Sequence, residues 1–126
     1  TIYQKCYIGR LSAFCGAVSA CAAAGAALTY LDGGDAEQIK MTLVNALADV
    51  SGIICDGAKA SCASKIATGL DASFISHFLA REGKCYNPLT GILGKDADAT
   101  ICSVGKMATD GMKDTDRVIL NIMLDK

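Results

Sequence analysis

The chain has 126 residues, of which 52% are apolar, yet it holds only three Phe, four Tyr and no Trp. That length suits one domain with a real core, and Ala and Gly in place of aromatics let helices approach closely. A formal net charge of −1 gives no electrostatic reason to expect nucleic acid or an anionic membrane as partner. The most apolar window, Leu11 to Leu31, is too rich in Ala, Gly, Ser and Thr to read as a membrane span. A positively charged start followed by a cleavage site is missing, so no signal peptide is expected. The first residue is Thr1 rather than Met, which reads as a piece of something longer. Seven cysteines, an odd number, lie mostly within Ala-rich helical patterns. That favours a reducing, cytoplasmic setting, with thiols as packing residues or metal ligands, over a disulfide scaffold.

Taken in order, Tyr7 to Tyr30 reads as one helix, apolar nearly all round and therefore buried on most sides. Gly16, just after Cys15, is the point where a kink or interruption is expected. Leu31-Asp-Gly-Gly-Asp35 is a turn. Asp35 caps the next helix and Gln38 completes a capping-box pattern. Ile39, Leu43, Ala46, Leu47 and Val50 recur at helical spacing, and the apolar helix reads through Met41 to Ile54. Asp56-Gly57 is turn chemistry, which puts Cys55 in the last turn of one helix and Cys62 about one turn into the next, Ala58 to Ala80. That second helix shows Ile66, Leu70, Phe74 and Phe78 as one stripe and ends near Arg81-Glu-Gly83. Gly83 to Gly94, with Pro88, reads as a loop. Ala97 to Met112 and Asp116 to Leu124 close the chain, the latter capped from Asp114-Thr-Asp116 and apolar at Val118, Ile119, Ile122 and Met123. No stretch alternates cleanly as a strand. The predicted fold is all-α, a compact bundle of five to six helices, a single domain over 1–126.

Chemistry gathers at the helix breaks. Cys15 precedes Gly16, Cys55 precedes Asp56-Gly57, and Cys62 follows seven residues after Cys55. An iron–sulfur cube takes at most four thiolates, and three protein ligands leave one iron open as a Lewis acid. On spacing alone the plainer reading, buried Cys as a small hydrophobe, is the stronger, because C-x6-C is not a standard metal signature. Cys6, Cys21, Cys85 and Cys102 have weaker claims: Cys21 reads as core and Cys85 as exposed. His77, the single histidine, reads as a partly buried packing residue. Lys59, beside Asp56, is the one basic residue expected near the Cys pair, and no glycine-rich phosphate loop supports a pyridoxal-phosphate lysine.

Three stretches carry a resemblance: Arg10-Leu-Ser-Ala-Phe-Cys-Gly-Ala17, Asn45-Ala-Leu-Ala-Asp-Val-Ser-Gly-Ile-Ile-Cys-Asp-Gly-Ala-Lys-Ala-Ser-Cys62, and the closing Asp-Arg-Val-Ile-Leu segment. Together they look like the C-terminal part of the serine dehydratase-like α-subunit family, closest to the branch containing L-cysteine desulfidases. The resemblance implies an oxygen-sensitive [4Fe-4S] cluster held by Cys15, Cys55 and Cys62, without pyridoxal phosphate. It implies β-elimination from a small amino acid, giving pyruvate and ammonia, with L-cysteine as substrate and L-serine as the alternative. Iron–sulfur serine dehydratases have a longer spacing between the last two ligands and a Cys-Asp-Pro start, which this chain lacks. Asp56 and Lys59 are the catalytic candidates and, with Gly57, neighbours of the ligands; Asn45 and Asp49 follow. The family's full chain is several times longer, so the absent N-terminal part is the expected partner and source of substrate-binding residues. Self-association is expected, and a homodimer is compatible with it. A helical interaction module without catalysis is the reading from a different class.

Overall fold

The computed structural model of the chain describes residues 1–9 and 12–125; Arg10 and Leu11 of the first motif lie outside the described residues. Six α-helices account for the architecture: α1 Ile2–Ile8, α2 Gly16–Leu31, α3 Ala36–Val50, α4 Cys62–Arg81, α5 Ala97–Lys106 and α6 Lys113–Leu124. The fold is all-α, as expected. A short π-helical segment, Met107–Gly111, joins α5 to α6. Among the described residues no helix is long and apolar enough to cross a membrane.

Helices α2, α3 and α4 pack on one another as the central bundle, α5 lies against α3, and α1 packs on α5. Small residues bring the three together. A Cβ on Gly25 of α2 would stand 3.0 Å from Ser73 Cβ on α4 and 3.3 Å from Thr42 on α3. Further along the same seam, Gly69 of α4 abuts Cys21, and Ser73 Oγ donates to the Cys21 carbonyl at 2.6 Å. The buried Ser73 hydroxyl thus finds a partner across the seam, as burial of a polar group requires. Thr29 Oγ1 stands 2.7 Å from Thr42 Oγ1 and 3.0 Å from His77 Nδ1, so His77 is a buried residue bonded to α2, and through Thr29 linked to α3.

Several expectations hold. Asp35 caps α3, accepting from the Gln38 amide at 2.8 Å while Gln38 Oε1 accepts from the Asp35 amide at 3.2 Å. Helix α4 ends at Arg81, and 85–96 form a loop and turns. Others are corrected. The single helix from Tyr7 to Tyr30 is two, because Gly9 takes a φ of +80 and the chain runs extended at Cys15 before Gly16 restarts the helix. The stripe on α4 is turned outward: Ile66 is 48% exposed and Phe78 65%, with Phe74 also exposed. Gly69, Ala72, Ser73, Ser76, His77 and Ala80 face inward instead, since only small side chains fit where α4 touches α2 and α3 so closely. Helix α6 begins at Lys113 with no side-chain cap and buries none of its residues, so the Asp114-Thr-Asp116 cap and the buried apolar face expected there are absent.

Candidate functional site

Two extended segments build the site. Cys15 donates its amide to the Ile53 carbonyl at 3.1 Å, Cys55 donates to the Ala13 carbonyl at 2.6 Å, and Phe14 faces Ile54 in an antiparallel bridge. Alternate residues of an extended pair share a face. Cys15 and Cys55 therefore lie on one side, diagonal to each other, and Phe14 turns the other way into the core. Diagonal neighbours in such a pair stand about 7–8 Å apart. Cys55 is thus not in the last turn of a helix, since α3 ends at Val50 and Cys55 belongs to the strap that follows it. Nor does Cys62 lie one turn into a helix: it is the first residue of α4. Between them Gly57 takes a φ of +91, a conformation glycine adopts without strain, and the chain turns back far enough for the Cys62 thiol to approach the Gly57 carbonyl at 3.6 Å.

The three cysteines line one cavity of about 500 Å³, walled by Ala17, Ala20, Ala58 and Ile66. Its lining is apolar, but Gly16, Ala58 and Ile66 are exposed, so the mouth opens to water. Two helices start at this cavity, α2 behind Cys15 and α4 at Cys62, and neither start is capped by a side chain. Free amides at a helix start favour negative charge nearby. Cys21, which reads as core, is buried yet lines the same cavity. Burial, and then the neighbouring Cys15, push its thiol pKa up. Its place on the Ala17–Ala20–Cys21 face of α2 was the available signal.

Asp56 anchors the charged rim. It pairs with Lys59 and with Lys65, and these two bonds, Lys59's first, hold its carboxyl down at about 2. Lys59 is therefore not the one basic residue here. Lys65, which the sequence reads as a surface lysine, lies one turn beyond Cys62 on the same face of α4 and pairs with Asp56 as well. The weaker neighbours lie elsewhere. Asp49 lines a separate cavity with Tyr86 and Thr90. Asn45 holds the loop after α4, donating to the Lys84 carbonyl and accepting from the Tyr86 amide, both at 3.0 Å.

Residues 1–121 match the family model described as the serine dehydratase alpha chain. The chain belongs to that family. A UPF0597 protein of Lachnoclostridium phytofermentans is 53% identical over 124 residues, covering 98% of this chain and 30% of the relative. One from Treponema denticola is 53% identical over 123 residues, covering 98% and 28%. A third, from Desulfitobacterium hafniense, is 47% identical over 126 residues, covering 100% and 29%. The chain thus spans about 30% of the length of the curated relatives it matches. No solved structure matches it.

Membership of the serine dehydratase alpha chain family directs attention to an iron–sulfur group, and the donor set can be tested against one. Among the described residues no three His, Cys, Asp or Glu side chains converge tightly enough for a single metal ion. A lone zinc, with Zn–S bonds of about 2.3 Å, needs its thiolates drawn to one point, and Cys15, Cys55 and Cys62 are not gathered in that way. A cube of four irons holds its thiolates wider apart. Three thiols spread around an apolar hollow at two helix starts therefore fit a cluster better than a single ion. All seven cysteines are free, so none of the three is tied up in a disulfide.

Proposed function

We propose that this domain is the cluster-binding part of an iron–sulfur β-eliminating lyase acting on L-cysteine, with Cys15, Cys55 and Cys62 as the ligands of a [4Fe-4S] cluster. One observation carries the reading: Cys15 and the pair Cys55 and Cys62, some forty residues further along the chain, line a single apolar cavity. L-Serine is the alternative substrate, favoured by the family model itself, which is that of the serine dehydratase alpha chain.

The reaction removes the α-proton and breaks the Cβ–S bond, releasing sulfide and aminoacrylate, whose imine form water hydrolyses to pyruvate and ammonia. When bound, the cluster supplies an open iron that draws off the β-leaving group as a Lewis acid. The chain's own part is placement. The bridge at Phe14 and Ile54 fixes Cys15 against Cys55, and the turn at Gly57 brings Cys62 to the same hollow. Ala17, Ala20 and Ile66 give it apolar walls that offer no competing polar ligand. Asp56, already neutralised by two lysines, is too weak a base to take the α-proton near neutral pH; with Lys59 it braces the ligand turn. We assign the substrate-binding groups and the base to the remainder of the longer family protein.

Anaerobic reconstitution with iron and sulfide tests this. About four irons per chain are expected, with iron lost in Cys15→Ser, Cys55→Ser and Cys62→Ser. A full-length relative should then release sulfide and pyruvate from L-cysteine. Full iron retention in all three variants, or no iron uptake by both this chain and the full-length protein, overturns the reading.

A further inference from the structure

Cys55 is bracketed by a single side chain. Lys65 Nζ donates to the Ile54 carbonyl at 2.8 Å and pairs with the Asp56 carboxylate, so one ammonium grips the residue on each side of the cysteine. Lys65 stands on α4 three positions after Cys62, and residues so spaced are neighbours on a helix surface. Its ammonium thus joins the strap that carries Cys55 to the helix that carries Cys62. Its pKa is raised, first by the bond to Asp56. Its neighbour Lys59 is different: 47% exposed, against 21% for Lys65, it reaches only Asp56.

An exposed lysine–carboxylate pair by itself contributes little, because water and salt screen it. Lys65 departs from that case in two ways. It is mostly covered, and one of its bonds goes to a backbone carbonyl in the strap. Apart from it, the strap's recorded backbone ties are the Cys15–Ile53 and Cys55–Ala13 hydrogen bonds and the turn from Ile53 to Val50. We propose that Lys65 is the positioning residue of the three-cysteine site: it ties the Cys55 strap to α4 and sets a fixed positive charge beside the thiolates. The charge half of this rests on the cluster reading above; the positioning half does not.

The test compares Lys65→Met, which keeps the stem and loses charge and donors, with Lys65→Arg, which keeps the charge. In the iron-free chain, hydrogen exchange at the Cys55 and Cys15 amides should speed up several-fold in Lys65→Met, while the Leu47 amide in α3 is unmoved. In the reconstituted protein, a lost positive charge makes adding an electron harder, so the reduction potential should fall in Lys65→Met and stay near wild type in Lys65→Arg. If Lys65→Met loses its helical circular dichroism, Lys65→Gln carries the same comparison. Unchanged exchange at both amides overturns the positioning role, and an unmoved potential overturns the charge role. A wild-type chain that takes up no iron counts against the cluster reading, and hydrogen exchange still decides the positioning role.

Discussion

Asp56 and Asn45 show how two polar residues near one another in sequence do different work. The Asp56 carboxyl, ordinarily at 3.8, is held at about 2 by Lys59 and Lys65. A carboxyl whose folded pKa is lowered stabilises the fold above its ordinary pKa and loses that contribution as pH falls through the folded value. Ordering of the Cys55–Cys62 turn should therefore be constant from pH 5 to neutrality and be lost between about pH 4 and 2. Carboxyl NMR titration of the iron-free chain checks it, and Asp56→Asn should remove the transition. Asn45 instead serves the loop after α4. Asn45→Ala deletes both of its hydrogen bonds and should cost about 1–2 kcal/mol in urea unfolding, without touching iron uptake.

Helix α4 decides most at the scale of elements. Its apolar residues lie on the outside and its small ones on the inside, an inversion forced by the close approach of α2. Gly69→Ala separates two opposing effects there. Replacing glycine in a helix interior gains about 1 kcal/mol, whereas overpacking a tight seam costs about 1–3 kcal/mol. The added Cβ would stand 2.8 Å from Cys21 Sγ and 3.0 Å from its Cβ, and Cys21 is buried against α4, so overpacking wins. The variant should unfold at lower denaturant, and by moving Cys21 it should also disturb the cysteine cavity. The π-helical segment after α5 has a local cause as well. Met112 donates its amide to the Met107 carbonyl, five residues back, at 2.9 Å, and Ser12 donates to the Ala108 carbonyl at 2.8 Å, which ties this widened turn to the segment leading into Cys15.

At the scale of the whole molecule, many large apolar side chains stand uncovered, and apolar surface of that kind favours association. Phe74, Ile75 and Phe78 on α4, Tyr30 and Leu31 at the end of α2, and Val118, Leu120 and Ile122 on α6 are all exposed. Relatives more than three times as long have ample chain to cover it. Alone in solution the 126 residues should self-associate, seen as concentration-dependent sedimentation. Phe78→Glu should weaken that association while changing stability by no more than about 0.5 kcal/mol. A phenylalanine buried in the core would instead cost about 3–5 kcal/mol on truncation to Ala, so the size of the effect checks its exposed placement.

Helix class, the Asp35–Gln38 cap, the end of α4 near Arg81 and the loop around Pro88 were legible in the sequence, because each is set by neighbours within a few residues. So were the three cysteines, as residues standing at breaks. What the sequence alone left open was whatever depends on partners remote in the chain. Gly9 and Gly16 marked weak points, but the break between α1 and α2 takes its shape from pairing with Ile53 and Cys55, some forty residues on. A helix apolar on both sides has no local sign of which side is inside, so the Phe74–Phe78 stripe left its direction open and the small-residue seam decided the matter. Lys65 looked like any surface lysine, because its partners Ile54 and Asp56 lie across a turn whose course only the folded backbone fixes. Local propensity determined the helices; the antiparallel meeting of 13–15 with 53–55, a long-range contact, determined the site.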